Sequence, residues 1–249
     1  MPAPSPALAG HRVLVTGGAR GLGETFVRAL VAAGARVAFG DVLHERGEQL
    51  AAAVGAHYIA MDMADPRGID AGVAAAAAAL GGLDGLVNNA AITNSGGRTM
   101  AELDVETWDR VMAVNVRGVW LASRAAHPHL KASGRGRIVN LASDTALWGA
   151  PRLMAYVSSK GAVISMTRSM ARELGDDGIA VNALAPGLTL VEATEYVPEA
   201  RHRYYQDGRA IKRAQMPDDL IAALLFLLGP GSGYLTGQVL PVNGGFVMH

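Results

Sequence analysis

Tyr156 and Lys160 stand four residues apart in the stretch AYVSSKGAV, which is otherwise made of small residues. On a helix, side chains at i and i+4 lie one above the other on the same face, so a phenol and an ammonium could act on one site. A free phenol has a pKa of about 10 and is a poor base at neutral pH. A positive charge beside it favours the phenolate, and a depression of about three pH units, or ~4 kcal/mol, would poise it near neutrality. The plain alternative is a core tyrosine next to a lysine that solvates a helix flank. A lone YxxxK supports no more than that.

A second candidate lies near the start. RVLV is a short apolar run that ends in TGGARGLG, and a helical pattern with Phe26, Leu30 and Val31 follows. Gly17, Gly21 and Gly23 then stand between a strand and a helix, where backbone amides and a helix N-terminus can face a pyrophosphate with no side chain in the way. Asp41 closes the next strand, RVAFGD, where a carboxylate can bind ribose hydroxyls. That context turns a weak glycine signal into a dinucleotide-binding expectation.

The elements that must position these residues follow the same alternation. HYIAMD, LDGLVNNA, GRIVNLAS, IAVNALAP and QVLPVNGG read as further strands, separated by helical segments. The alanine-rich AGVAAAAAAL reads as a crossover helix, because alanine is the best helix former. One helix is expected through WDRVMAVNVRGVWLASRAA and another from about Ala155 to Leu174. Buried-type strands alternating with helices imply an α/β, Rossmann-type doubly wound parallel sheet with helices on both faces. The chain, residues 1–249, reads as a single domain with a loose leader over residues 1–10 and no internal repeat. From 187 to 216 the pattern breaks into a polar and aromatic stretch with no sustained period, which is expected to be a substrate-binding loop.

Composition narrows the partners. Of the 249 residues, 22 are Lys or Arg and 22 are Asp or Glu, which removes any long-range electrostatic case for nucleic acid or an anionic membrane surface. The absence of cysteine excludes disulfides, thiolate metal sites and cysteine nucleophiles. His127 and His129 in AHPHL point to different sides of a helix and read as surface residues at a helix edge set by Pro128, so no metal is expected. With no apolar run of about 18 residues and no signal-type start, a cytoplasmic protein acting on small molecules is expected.

The glycine spacing TGxxxGxG, rather than GxGxxG, resembles the short-chain dehydrogenase/reductase family. So do Asp62 after the third strand, NNAA from Asn88, Asn115 in VNVRG, Ser143, Tyr156 with Lys160, Pro186 and Gly187 in APG, and LTGQVLPVNGG, which together span almost the whole chain in the family's order. The resemblance implies a catalytic set of Asn115, Ser143, Tyr156 and Lys160. Tyr156 would move the substrate proton, Ser143 would hydrogen-bond the substrate oxygen, Lys160 would also hold the nicotinamide ribose, and Asn115 would hold a relay water. It implies NAD contacts from Gly17, Arg20, Gly21, Leu22, Gly23, Asp41, Asp62, Met63, Asn89, Ala90, Pro186, Gly187 and Thr189 besides Tyr156 and Lys160. The implied reaction is hydride transfer between NAD(H) and a secondary alcohol or ketone, in a homotetramer.

Two positions depart from the family pattern: Ala91, where glycine is common, and Asp144, where a small neutral residue often follows the serine. The substrate pocket is expected to involve Asn94, Thr145, Trp148 and Leu188, with Trp148 offering an aromatic wall. Core filling is as good a reading as a role at the site for each of Tyr204, Tyr205 and Trp148. Ser143 lacks the GxSxG setting of a hydrolase nucleophile. A nucleotide-binding sensor or scaffold without turnover is the alternative from another class, and the intact tetrad argues against it. Net epimerisation would call for a larger substrate region than the stretch after Pro186 offers.

Overall fold

The computed structural model describes residues 7–94 and 97–248. Among the described residues seven strands form one parallel sheet: β1 (Arg12–Thr16), β2 (Arg36–Asp41), β3 (His57–Ala60), β4 (Gly85–Asn88), β5 (Arg137–Leu141), β6 (Ala180–Pro186) and β7 (Val239–Val242). Their order across the sheet is β3-β2-β1-β4-β5-β6-β7. The direction of winding reverses between β1 and β4, which opens a crevice at the carboxyl ends of the strands.

Each strand from β1 to β6 is followed by helix on one face or the other. The helices are α1 (Gly21–Ala32), α2 (His44–Val54), α3 (Pro66–Leu80), α4 (Val105–Met112), α5 (Val119–Ser133), the short α6 (Thr145–Trp148), α7 (Met154–Glu173), α8 (Glu199–Gly208) and α9 (Ile221–Leu228). The two-residue repeat of a strand divides the core between two layers. Val13 and Val15 of β1 pack with Phe26, Leu30 and Leu224 of α1 and α9, whereas Leu14 packs with Ile69, Val73 and Leu80 of α3 and with Leu121 of α5. The central strands are buried along nearly their whole length. This is why they read as unbroken apolar runs rather than alternating ones.

Local chemistry starts and stops these helices. Asp65 accepts from Arg67 N–H at 3.0 Å with Pro66 as the first helical residue, and the alanine run then continues to Gly81, whose φ of +74° ends α3. Asp104 accepts from Thr107 N–H at 2.7 Å at the start of α4.

Three expectations are corrected here. The long helix around VNVRG is not uniform: Ala113–Gly118 forms a π-helical turn between α4 and α5, with Asn115 inside it. Pro128 does not end a helix, because α5 continues to Ser133. Its buried face of Leu121, Ala122, Ala126 and Leu130 outweighs the ~3 kcal/mol that an internal proline costs. Leu8, assigned to a loose leader, is fully buried against the first layer, and its N–H donates to Ala33 O. Residues 1–6 of that leader lie outside the described residues. No helix among the described residues is long and apolar enough to cross a membrane.

Candidate active site

At the carboxyl edge of the sheet the loops after β1 to β6 enclose a cavity of about 800 Å³. Its floor begins with the turn after β1. Gly17 has φ +67°, and a Cβ there would come within 2.7 Å of Ala90 Cα, while a Cβ on Gly23 would fall 1.8 Å from Gly17 O. Only glycine lets these backbones meet and leaves the start of α1 bare. Asn89 locks the turn from the other side, donating to Thr16 O (3.1 Å) and Gly17 O (2.8 Å), while Thr16 Oγ1 accepts from the N–H groups of Asn89 and Ala90.

Asp41 ends β2 with its carboxylate held by two amides: Ala19 N–H donates to Oδ2 at 2.9 Å and Leu43 N–H to Oδ1 at 3.1 Å. A carboxylate oxygen can accept more than one bond, so both remain able to accept from a ligand hydroxyl. The other residues expected to contact a cofactor line the same cavity, from Arg20 and Leu22 through Asp62, Met63 and Ala90 to Pro186, Gly187 and Thr189.

The tyrosine and lysine come from the first turns of α7. Both line the cavity, as does Ser143 from the loop after β5. Lys160 is buried, its Nζ donates to Leu141 O at 2.6 Å, and it lies 5.6 Å from the Tyr156 ring centroid. Desolvation lowers its pKa to about 8. Burial also dominates Tyr156, pushing its phenol above the ordinary range, with a side-chain hydrogen bond from Ser143 acting in the opposite direction. The depression expected from Lys160 is not found: desolvation sets the direction, and Tyr196 and Asp144 add to it. Thr145 donates to Ser143 Oγ from its hydroxyl at 2.9 Å and from its N–H at 3.3 Å, which leaves the serine proton free to point toward Tyr156.

Asn115 lies behind this group and does not line the cavity. Its side chain is fully engaged: Nδ2 donates to Ile92 O (3.0 Å) and Ser159 Oγ (3.1 Å), and Oδ1 accepts from Ile92 N–H (2.8 Å). It pins the loop after β4 to α7.

Of the four residues expected at a substrate pocket, Asn94, Thr145 and Leu188 line the cavity and Trp148 does not. Trp148 packs instead into an aromatic cluster with Tyr204, Tyr205 and Phe246, at ring-centroid distances of 5.9, 6.0 and 5.7 Å. Its indole N–H donates to Tyr205 Oη at 3.3 Å. Tyr205 is the wall residue in its place. It is buried, lines the cavity, and donates to Asp144 Oδ1 at 3.1 Å. Burial drives the carboxyl of Asp144 up to about 7 despite that bond.

Sequence reasoning also missed Tyr196, which lines the cavity and donates to Thr93 O at 2.9 Å, and Val191 and Arg201 beside it. The available signal was an aromatic and arginine content unusual for a plain connector.

Comparison with known proteins agrees with this geometry. The model of the family described as enoyl-(acyl carrier protein) reductase matches residues 17–247. The 3-alpha-(or 20-beta)-hydroxysteroid dehydrogenase of Mycobacterium tuberculosis is 41% identical over 245 residues, covering 98% of this chain and 92% of that protein. The 2,5-dichloro-2,5-cyclohexadiene-1,4-diol dehydrogenase of Sphingobium indicum is 37% identical over 245 residues, or 96% of this chain and 98% of that one. Among solved structures, the 3-ketoacyl-(acyl-carrier-protein) reductase of Brucella melitensis complexed with NADH superposes with a TM-score of 0.91 at 34% identity, covering 97% of this chain and all of that one. On the family model, these relatives and the shared parallel sheet, the chain belongs to the short-chain dehydrogenase/reductase family and is an oxidoreductase of that family.

Proposed function

We propose that this protein transfers hydride between NAD(H) and a secondary alcohol or ketone, with Tyr156 as the general acid/base. The observation that carries this reading is the convergence of Ser143, Tyr156 and Lys160 on one cavity whose other end is formed by the bare glycine turn and Asp41. The site fits a dinucleotide. The cradle at Gly17 and Gly23 is one that any Cβ would fill, and Asp41 presents two oriented carboxylate oxygens. When bound, the nicotinamide supplies the hydride acceptor or donor and, in its oxidised form, a positive charge.

The chain's own residues handle the proton. Oxidation needs a base for the alcohol proton, and reduction needs an acid for the carbonyl oxygen. The phenol of Tyr156 serves both directions. The phenol of Tyr156, partly buried in the wall of the cavity, resists ionisation, so the positive charges at the site have to favour the phenolate. Ser143, whose oxygen already accepts twice from Thr145, has one proton to give; it turns from Tyr156 to the substrate oxygen when substrate binds and stabilises charge developing there. Lys160 uses one donor on Leu141 O and keeps two for ribose hydroxyls and a relay water. The Asn115 side chain has no donor to spare, so its main-chain carbonyl, in the π-helical turn, is the group that would hold that water.

Asp41 favours NAD over NADP. A 2′-phosphate at about 4 Å from a carboxylate meets roughly 4 kcal/mol of repulsion per unit charge near a protein surface. A preference of at least ~100-fold in kcat/KM follows, equivalent to about 2.7 kcal/mol. We read the assembly as a homotetramer, supported by the exposed Trp120 and Val105 on α5 and α4. Light scattering checks that reading, with a mass of four chains expected.

The experiment that tests the function is a panel of aliphatic, alicyclic, aromatic, sugar and steroid secondary alcohols with their ketones, followed by NADH absorbance. Turnover of at least one pair is expected. A flat panel with tight NADH binding would contradict it.

A further inference from the structure

Glu192 lies in a short turn (Glu192–Thr194) of the loop after β6, and its side chain pairs with residues far away in sequence. Its two oxygens hold two arginines of the opposite rim: Oε2 accepts from Arg46 Nη1 at 2.7 Å and Oε1 from Arg20 Nη1 at 3.4 Å. Arg20 belongs to the glycine turn and lines the cavity. Arg46 sits in the first turn of α2, five residues after Asp41. Next to Glu192, Val191 rests over Gly21 at the start of α1. The remaining charges of this corner are Glu24, which acts on Arg46 from α1 and is itself paired with Arg28 at 2.8 Å, and the buried carboxylate of Asp41.

Two guanidinium groups, one in the glycine turn and one in the helix that follows Asp41, are the groups a 2′-phosphate beside Asp41 would recruit, because the planar fork binds phosphate oxygens in pairs. We propose that Glu192 is a cofactor-specificity residue: by engaging Arg20 and Arg46 it withholds both cations from a 2′-phosphate and so reinforces the preference for NAD. This rests on the NAD reading above and deepens it by assigning part of the discrimination to the substrate loop rather than to the glycine turn. A phosphate entering this corner must displace the carboxylate or share the arginines with it, and both weaken its binding. NAD has no group there and is indifferent to the clasp. All three side chains are about half exposed, so the effect is that of two solvent-accessible ion pairs and is modest.

The test is a fluorescence titration of NADH and NADPH against the wild type, Glu192→Gln, Arg46→Ala and the double variant, at one fixed ionic strength. Glu192→Gln is expected to tighten NADPH by about 5- to 10-fold, while NADH stays within about twofold. Adding Arg46→Ala to Glu192→Gln is expected to remove most of that gain, because the freed cation is what produces it. An unchanged NADPH affinity in Glu192→Gln, or equal shifts for both cofactors, would overturn the proposal and leave Glu192 as a loop anchor only. The wild type's own ratio tests the reading beneath it. A wild type that binds NADPH as tightly as NADH contradicts the NAD preference, while the change in that ratio on Glu192→Gln still decides the role of the clasp.

Discussion

Asp144 and Trp148 are the residues where the expected roles shift most. Trp148 was expected to face the substrate because it follows Ser143 by five positions. The left-handed Gly149 closes α6 after a single turn, and the indole packs against Tyr205 and Phe246, behind the cavity wall. Trp148→Ala is therefore expected to cost ~2 kcal/mol or more in denaturant unfolding while leaving the ranking of substrates largely intact. A changed ranking at full stability would return the indole to the pocket. Asp144 carries a testable pH dependence. Its folded pKa, raised from 3.8 to about 7, means that the native state binds a proton more tightly than the unfolded chain does. Native stability therefore falls as pH rises from about 4 to 7, by up to ~4 kcal/mol, and stays low above that. Asp144→Asn removes the charge but keeps an acceptor for Tyr205. Its melting temperature relative to wild type is expected to rise between pH 5 and pH 8, and a constant difference would mean that the carboxyl is already ionised at pH 5.

At the scale of elements, the strands were legible because burial on both faces leaves an apolar run that few other structures explain. Their ends were read too long, as in HYIAMD, where the strand stops at Ala60 and Met61 and Asp62 already belong to the site. The π-helical turn at Asn115 was not legible, since inserting one residue into a helix barely alters its hydrophobic period. Helix α8 was not legible either: in EARHRYYQDG only Tyr205 is buried, so no apolar stripe marks it. The amino-terminal edge of the sheet holds a feature that residue types alone did not suggest. Asp84, before β4, has a fully buried side chain and accepts from Arg12 at 2.8 and 2.9 Å and from Arg135 at 3.1 Å. Burial alone would raise its pKa, but the hydrogen bonds from the two guanidinium groups hold the carboxyl well below the usual range. Its contribution to stability is present above the unfolded pKa near 4 and is lost only as pH falls below that. Asp84→Asn is expected to cost about 2 kcal/mol at pH 7, because it removes the buried charge that holds the partly exposed guanidinium groups of Arg12 and Arg135, and less at pH 3. Equal losses at both pH values would show that packing, not charge, is responsible.

At the scale of the whole molecule, the reversal of winding between β1 and β4 brings the glycine turn, Asp41, Ser143, Tyr156 and Lys160 to one cavity although they span more than half of the chain. Their types and spacing were readable in advance. The electrostatics were not, because the phenol's environment depends on burial by the loop after β6, whose path no periodicity reveals. Cofactor choice is the next consequence. Asp41→Ala is expected to lose most of the preference for NAD in kcat/KM, and a preference that survived intact would move the discrimination elsewhere. The central claim is that Tyr156 carries the proton. Comparing kcat for an accepted alcohol, and the Kd of NADH, between wild type and Tyr156→Phe tests it most directly. The account predicts a loss of turnover of about a thousandfold or more, equivalent to ~4 kcal/mol, with NADH affinity within about threefold. Retention of more than about a tenth of the wild-type rate, a loss below ~1.4 kcal/mol, would contradict it.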